Sequence, residues 1–483
     1  MRVNELKQNA RHYIDGRWET GGTTGISENP SDTREAVAEY ARADRSQTEQ
    51  AIRAAADALG QWSHSGPQRR ADALDRIGSE LIARSEELGR LLAREEGKTL
   101  AEAIAEVARA GQVFKFFAGE AWRIAGETMA SARPGVQIDV TREPVGVVGL
   151  ITPWSYPLAI PAWKIAPALA YGNTVVFKPD ESVPVCGWAL AEIISRCTLP
   201  AGVFNLVMGS GREVGQAIVD SPLVDAISFT GSAATGERIL QAAAARRAKV
   251  QLETGGKNAL VVLADADLDQ AVDCALQGAY HSTGQRCTAS SRLIVEDGVH
   301  DAFVVRLRHR MAALKVGHAL ERGIDLGPVA DRAQLERNQA WLEMARSEGA
   351  EHVWGGELLE RPTPGHYMNP ALFLAKPQHR IAREELFGPV ACVLRADDYE
   401  QALALANDTP SGLCAGICTT SLKHAAHFRR HAQVGMVMVN VPTAGIDFHV
   451  PYGGRKGSGY GPREQGHYAS EFYTTVKTGY TLA

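Results

Sequence analysis

Cys287 sits in the run Gly284-Gln285-Arg286-Cys287-Thr288-Ala289, and Glu253 precedes it in Leu252-Glu253-Thr254-Gly255-Gly256-Lys257-Asn258. A thiolate can attack a carbonyl carbon and hold the product as a thioester, and a carboxylate can activate the water that releases it. A cysteine among small residues, with an acid one strand-turn-helix unit upstream, has what covalent oxidation of an aldehyde requires. Each motif alone is weak evidence. Their order and spacing carry the reading.

Both residues need a scaffold, and the chain supplies an alternation of strand and helix from Pro144 onward. Apolar runs at 145–151, 174–177, 204–208 and 225–229 read as buried strands, with helices over 159–170 and 185–196 between them. Continuous apolar strands alternating with helices indicate a parallel, doubly wound sheet. After Lys257 the pattern starts again, with strands at 259–263 and 292–295 around a helix over 267–283, so a second α/β unit is expected. Before Pro144, residues 13–18 read as extended. Residues 51–62 and 71–93 repeat apolar positions at the spacing of amphipathic helices. Residues 471–478 alternate like an edge strand, and 136–142 like half of a protruding hairpin; such edges pair within oligomers.

A chain of 483 residues with 45% apolar and 22% charged residues is long enough for two or three domains of an ordinary globular protein. The net charge of -5 and the scattered lysines and arginines argue against nucleic acid and anionic membrane as main partners. The opening run Met1 to Lys7 has no leader-like apolar core, and no apolar run approaches the roughly 18 residues of a spanning helix. Seven cysteines, widely spread and without C-x-x-C pairs, suit reduced thiols in a cytoplasm.

Phe229-Thr230-Gly231-Ser232 follows a strand and opens a helix, so backbone N–H groups and the Ser232 hydroxyl can meet a pyrophosphate. Lys178-Pro179-Asp180-Glu181 closes another strand at the expected carboxyl edge of the sheet, where cofactors bind. Lys178 there can hold ribose hydroxyls, and Glu181 can accept from an adenosine ribose while repelling a 2′-phosphate. The glycines at 209, 211 and 215 are spaced G-x-G-x-x-x-G, and a turn capping a helix explains them as well as a dinucleotide loop does. His424, His427 and His431 share a helical face, but amid Arg429 and Arg430 they read as solvated, and no metal is expected. Asp265, Asp267 and Asp269 read as N-cap and first-turn residues where a strand gives way to a helix.

Six motifs carry a resemblance: Ile151-Thr152-Pro153-Trp154, Phe177-Lys178-Pro179, Phe229-Thr230-Gly231-Ser232, Leu252-Glu253-Thr254-Gly255-Gly256-Lys257, Gly284-Gln285-Arg286-Cys287 and Glu384-Glu385-Leu386-Phe387-Gly388-Pro389. In this order and with these gaps the whole chain resembles the aldehyde dehydrogenase superfamily. Residues 161–173 and 440–451 are similar to bacterial α-ketoglutaric semialdehyde dehydrogenases. The resemblance implies that Cys287 is the nucleophile and Glu253 the base that activates the deacylating water. It implies that Lys178 and Glu181 hold the adenosine ribose and Gly231 and Ser232 the pyrophosphate. Glu385 and Phe387 would meet the nicotinamide ribose and ring, with Ile151, Thr152, Pro153, Trp154, Gly211, Phe229 and Thr230 along the same cofactor. The expected cofactor is NAD, because Glu181 disfavours a 2′-phosphate; Lys178 leaves NADP open.

The family's fold implies an α/β protein with a Rossmann-type NAD(P)-binding domain at 1–124 and 144–254 and a catalytic domain at 255–455. A small β oligomerisation element at 125–143 and 456–483 would make a homodimer or homotetramer. One departure stands out. Where the family usually has an asparagine that donates to the oxyanion, this chain has Ser155, whose shorter side chain offers one proton. Losing one such donor costs on the order of a hundredfold in rate. The expected reaction is oxidation of a carboxylate-bearing semialdehyde, α-ketoglutaric semialdehyde first, with succinate or glutarate semialdehyde as the rival. A catalytically quiet nucleotide-binding scaffold is the reading from outside enzymology. A carboxylate at the far end of the substrate calls for a cation. Arg286 is the candidate, with His449 and Lys164 behind it and Trp163 and Phe448 as apolar walls.

Overall fold

Two parallel sheets position everything that follows. The computed structural model describes residues 10–482, so the opening run Met1 to Lys7 lies outside the described residues. In the first sheet the strands Phe204–Leu206, Thr174–Lys178, Val147–Ile151, Ala226–Gly231 and Lys249–Thr254 lie side by side and parallel. Every residue of Val147–Ile151 and Thr174–Lys178 is buried, which is why these runs are apolar throughout rather than alternating. The helix Ala159–Ala170 is buried along its whole length, Lys164 included.

A short hairpin, His12–Ile14 with Arg17–Glu19, extends one edge of this sheet through Tyr13 and Leu206. Its two turn residues, Asp15 and Gly16, have φ of 49° and 76°, the left-handed pair that a two-residue hairpin turn needs. At the other edge Gly459–Tyr460 pairs antiparallel with Leu252 and Glu253. The tail beyond residue 455 is therefore shared. Its start joins the large sheet, and its end, Thr474–Leu482, pairs in full register with Val136–Pro144.

The second sheet begins after the turn at 255–258. Its order is Glu351–Trp354, Ala371–Leu374, Val390–Ala396, Arg292–Glu296, Ala259–Val262, Cys414–Cys418 and Met436–Val439, parallel except for the first pair. The third sheet, Thr474–Leu482 with Val136–Pro144 and Glu127–Ala130, leaves Met129, Val476, Tyr480 and Leu482 exposed. Asn173 ties this sheet to the first. Its Oδ1 accepts from Gly146 N at 3.0 Å, and its Nδ2 donates to Tyr473 O at 2.9 Å and Ala168 O at 3.1 Å.

Three elements differ from their expected extent. The helix expected over 267–283 ends at Ala279, and the edge strand expected over 471–478 starts only at Thr474, after a short helix Ser470–Tyr473. The third, an expected helix, is broken in two. The run 71–93 is two helices, Pro67–Ala83 and Ser85–Glu95, broken at Arg84 with φ -103° and ψ 17°. The guanidinium of Arg84 sits at the corner and bonds Glu87 at 2.9 Å, Glu192 at 3.0 Å and Glu80 at 3.1 Å. Apolar spacing continues across the break, so periodicity alone does not reveal it.

Candidate active site

Strand register builds the first half of the site. Ile151 pairs with Lys178 on one side and Phe229 on the other, and Thr230 pairs with Glu253. The carboxyl ends of four adjacent parallel strands thus lie along one edge, where open α/β sheets bind ligands. Ile151, Glu181, Gly211 and Phe229 line a cavity of about 620 Å³ there. Lys178 and Thr152 lie buried beneath, with Lys178 Nζ donating to Pro179 O at 3.0 Å. Ser232 caps the helix Ala233–Ala245, and the buried hydroxyls of Thr152 and Thr230 have no hydrogen-bond partner among the described residues. A helix N-terminus flanked by unpartnered donors is a set that suits a dinucleotide's phosphates and ribose.

A neighbouring cavity of about 320 Å³ is lined by Pro153, Trp154, Ser155, Gly231, Ser232 and Glu253, and across from them by Cys287, Glu385 and Phe387. Cys287 arrives from the second unit through a tight turn. Ser282, Thr283 and Gly284 have φ of 53°, 56° and 64°, a run of left-handed residues that costs energy at the two with a Cβ. Glu102 holds this turn by accepting from Ser282 N at 2.7 Å and Ser282 Oγ at 3.0 Å, and Thr283 Oγ1 donates to Gly327 O at 3.1 Å. Beyond it, Asn258 Nδ2 donates to Cys287 O at 2.7 Å and Ala289 O at 3.0 Å. The Cys287 thiol lies 2.7 Å from the Tyr452 hydroxyl.

Ser155 is fixed from behind. Lys98 Nζ donates to the Ser155 carbonyl at 2.8 Å and to Glu106 Oε2 at 2.6 Å. Glu106 Oε1 accepts from Leu158 N at 2.9 Å and Ala159 N at 3.1 Å. The Ser155 hydroxyl has no hydrogen-bond partner among the described residues. On the opposite wall Glu385 accepts from Gly256 N at 3.1 Å. Phe387 has a φ of 55°, held by Gln334 Nε2 donating to the carbonyls of Leu386 at 3.2 Å and Phe387 at 3.0 Å. Trp154 meets the Phe387 ring edge-on with centroids 5.2 Å apart.

Electrostatics set both groups against ionisation. Glu253 is only 3% exposed and accepts from Gly454 N at 3.1 Å. Burial pushes its carboxyl well above the usual range and nearby Glu464 adds to this, while Lys164 and Arg463 oppose it. Burial also pushes the Cys287 thiol up to about 11, with Glu385 and Glu253 adding and the Tyr452 hydrogen bond opposing. A thiol and a carboxylate that share a cavity, and that repel when both are charged, can act in turn as nucleophile and base.

The substrate candidates divide. Arg286, Trp163 and Cys287 line a narrower cavity together with Arg109, Tyr156 and Tyr452, so Cys287 stands where two cavities meet. Lys164, expected as a tunnel cation, is fully buried beneath Glu253; it donates to Ser228 Oγ at 2.7 Å and pairs with Glu464. Phe448 packs edge-on to Phe116 at 6.3 Å, and His449 is exposed; neither lines the cavities at Cys287. Gly445 and Ile446 from the same loop line the narrower one instead. Sequence reasoning missed Tyr452, Gln334, Lys98, Glu106 and Arg109. The one available signal was the spacing of Glu102, Glu106 and Arg109, which puts them on one helical face.

The family model described as "Aldehyde dehydrogenase family" matches residues 18–479. The chain belongs to the aldehyde dehydrogenase family. As a member it is an oxidoreductase acting on aldehydes. It is 39% identical over 473 residues to the α-ketoglutaric semialdehyde dehydrogenase of Bacillus subtilis, with 97% of each chain covered. It is 40% identical to the betaine aldehyde dehydrogenase of Cereibacter sphaeroides, covering 98% of this chain and 97% of that one. A crystal structure of betaine aldehyde dehydrogenase from Staphylococcus aureus in complex with NAD+ superposes with a TM-score of 0.97 at 34% identity, covering 99% of this chain and 96% of that one. The expected aldehyde dehydrogenase fold is thereby borne out.

For this family member, a thiol pushed up to about 11 loses protons only at high pH. Alkylation of Cys287 by iodoacetamide, followed by peptide mass spectrometry without cofactor, is expected to keep accelerating through about pH 10, beyond the value of about 8.5 for a free cysteine. A plateau below about pH 8 would contradict this electrostatic picture.

Proposed function

We propose that this protein oxidises a carboxylate-bearing semialdehyde, α-ketoglutaric semialdehyde to 2-oxoglutarate, with NAD as oxidant. The observation that carries the reading is one cavity shared by Cys287, Glu253 and Ser155, opening beside a second cavity suited to a dinucleotide. Semialdehyde specificity is supported by the Bacillus subtilis relative and by Arg286 on the cavity beyond Cys287. Lys178, Glu181 and Gly211 would hold the adenosine end, and Gly231 and Ser232 the pyrophosphate. Glu385 and Phe387 would meet the nicotinamide ribose and ring. When bound, NAD supplies a hydride acceptor.

Cys287, its thiol proton released to solvent, adds as the thiolate to the aldehyde carbon, and the Ser155 hydroxyl and the Cys287 backbone N–H face the resulting oxyanion. Loss of hydride from that carbon leaves a thioester on Cys287. Glu253 then takes a proton from water, the hydroxide attacks the thioester, and the carboxylic acid leaves as the Cys287 thiolate departs and regains its proton from Glu253. Glu253 also argues against a CoA-acylating role, since a hydrolytic base would compete with CoA. In the assembly, the exposed apolar residues of the three-stranded sheet would pair two subunits, giving a dimer or tetramer. A monomeric mass by light scattering would remove that part.

A second reading has its own support. Trp163 and Tyr452 lie with ring centroids 5.3 Å apart in the narrower cavity, and aromatic walls suit the quaternary ammonium of betaine aldehyde. Initial rates of NADH formation with α-ketoglutaric, succinic and glutaric semialdehydes, betaine aldehyde and propanal, each with NAD and NADP, separate the two. The highest kcat/KM is expected for α-ketoglutaric semialdehyde with NAD. Preference for betaine aldehyde would overturn the substrate. Absence of turnover on every aldehyde, with NAD still bound, would replace catalysis by the scaffold reading and assign the loss to Ser155.

A further inference from the structure

The helix Leu100–Glu120 turns one face toward the catalytic cysteine, and three residues at helical spacing do different work on it. Glu102 holds the strained turn before Cys287 through Ser282. Glu106, one turn on, holds the Ser155 loop through Leu158, Ala159 and Lys98. Arg109, the next residue of the stripe, lines the narrower cavity with Cys287, Tyr156, Trp163 and Tyr452. Its Nε is buried without a hydrogen-bond partner, and it forms no ion pair among the described residues.

Arg109 is half-buried with its Nε shut off from water, and a guanidinium desolvated in this way without a counter-charge carries a cost. The acids that act on it are Glu106 and Asp447. Glu106 is already saturated by Lys98 and two backbone N–H groups, and Asp447 is exposed. Arg286 also lines the cavity; it is anchored to the Gln277 carbonyl, and its Nε too is buried and unpartnered. Two arginines thus line one small cavity, which shares Cys287 with the larger one, with no anion from the described residues bonded to either.

We propose that Arg109 is the specificity-determining residue of this enzyme: its guanidinium binds the carboxylate at the far end of the aldehyde, with Arg286 Nε as a secondary donor. The planar guanidinium fork matches a carboxylate with two parallel N–H···O bonds, which a lysine cannot reproduce. The aromatic side chains Tyr156, Trp163 and Tyr452 then serve as walls for the carbon chain between the two ends. A cationic aldehyde is rejected by charge despite those rings. The proposal rests on the semialdehyde reading above and names the group that reads its carboxylate.

The test compares wild type, Arg109→Gln and Arg109→Lys as full-length proteins with NAD, using α-ketoglutaric semialdehyde and pentanal. The readout is the ratio of their kcat/KM values. For Arg109→Gln that ratio is expected to fall on the order of 10- to 100-fold through KM, with Arg109→Lys in between. A readout that needs no turnover accompanies it: 2-oxoglutarate is expected to slow iodoacetamide labelling of Cys287 in wild type and not in Arg109→Gln. An unchanged ratio, or an equal loss on both aldehydes that lysine does not restore, overturns the role of Arg109. Wild type showing no preference for the charged aldehyde overturns the semialdehyde reading itself, and the two failures are told apart by which protein shows them.

Discussion

Glu106 brings a negative charge into the interior, where it is 4% exposed, and divides it among Lys98 Nζ and the backbone N–H groups of Leu158 and Ala159. Desolvating such a pair yields little net stability, whereas removing one partner costs about 3–5 kcal/mol because the other is stranded. What the pair contributes is position. Through Lys98 it fixes the carbonyl of Ser155, and through the two N–H groups it seats the start of the buried helix Ala159–Ala170. Because its lone pairs are occupied, it also leaves Arg109, one turn along, without a counter-charge. The proposed oxyanion donor and the proposed substrate cation are both consequences of one buried carboxylate.

A second buried pair, Lys164 with Glu464, plays the corresponding part beneath Glu253. Glu464 comes from the tail that also adds Gly459–Tyr460 to the sheet edge, so closing the sheet and charging the floor of the site are one event. Glu464 raises the Glu253 carboxyl and Lys164 lowers it, leaving Glu253 governed chiefly by its burial. A carboxylate in such surroundings is a stronger base than one in water. Its repulsion with an ionised Cys287 keeps the two from being charged together. The proposed nucleophile and base are thus suited to successive steps.

The parts of the site legible in the sequence were those whose neighbours are local. Cys287 stands in its own turn and Glu253 at its own strand end, so short motifs exposed both, as they did Ser232 at a helix cap. Parallel strands showed through their unbroken apolar runs. Tyr452 meets the Cys287 thiol across a separation of 165 residues, and nothing local at Tyr452 marks it. Arg109 reads as one more charge on an amphipathic helix until Glu106 is seen to be occupied. Lys164 erred the other way: its segment lies beside the site, but a buried partner on the distant tail turned the side chain inward. His449 and Phe448 failed because loop 440–451 presents Gly445 and Ile446 to the cavity instead. A loop without period gives no rule for which residue faces in.

The central claim, that Cys287 holds the acyl group and Glu253 releases it, is tested most directly by intact mass after rapid quenching. Glu253→Gln, mixed with NAD and α-ketoglutaric semialdehyde, is expected to release one NADH per active Cys287 and to carry the matching acyl mass on that residue. Steady-state turnover is expected to fall on the order of a hundredfold or more. Turnover equal to wild type with no adduct on Cys287 would contradict the account.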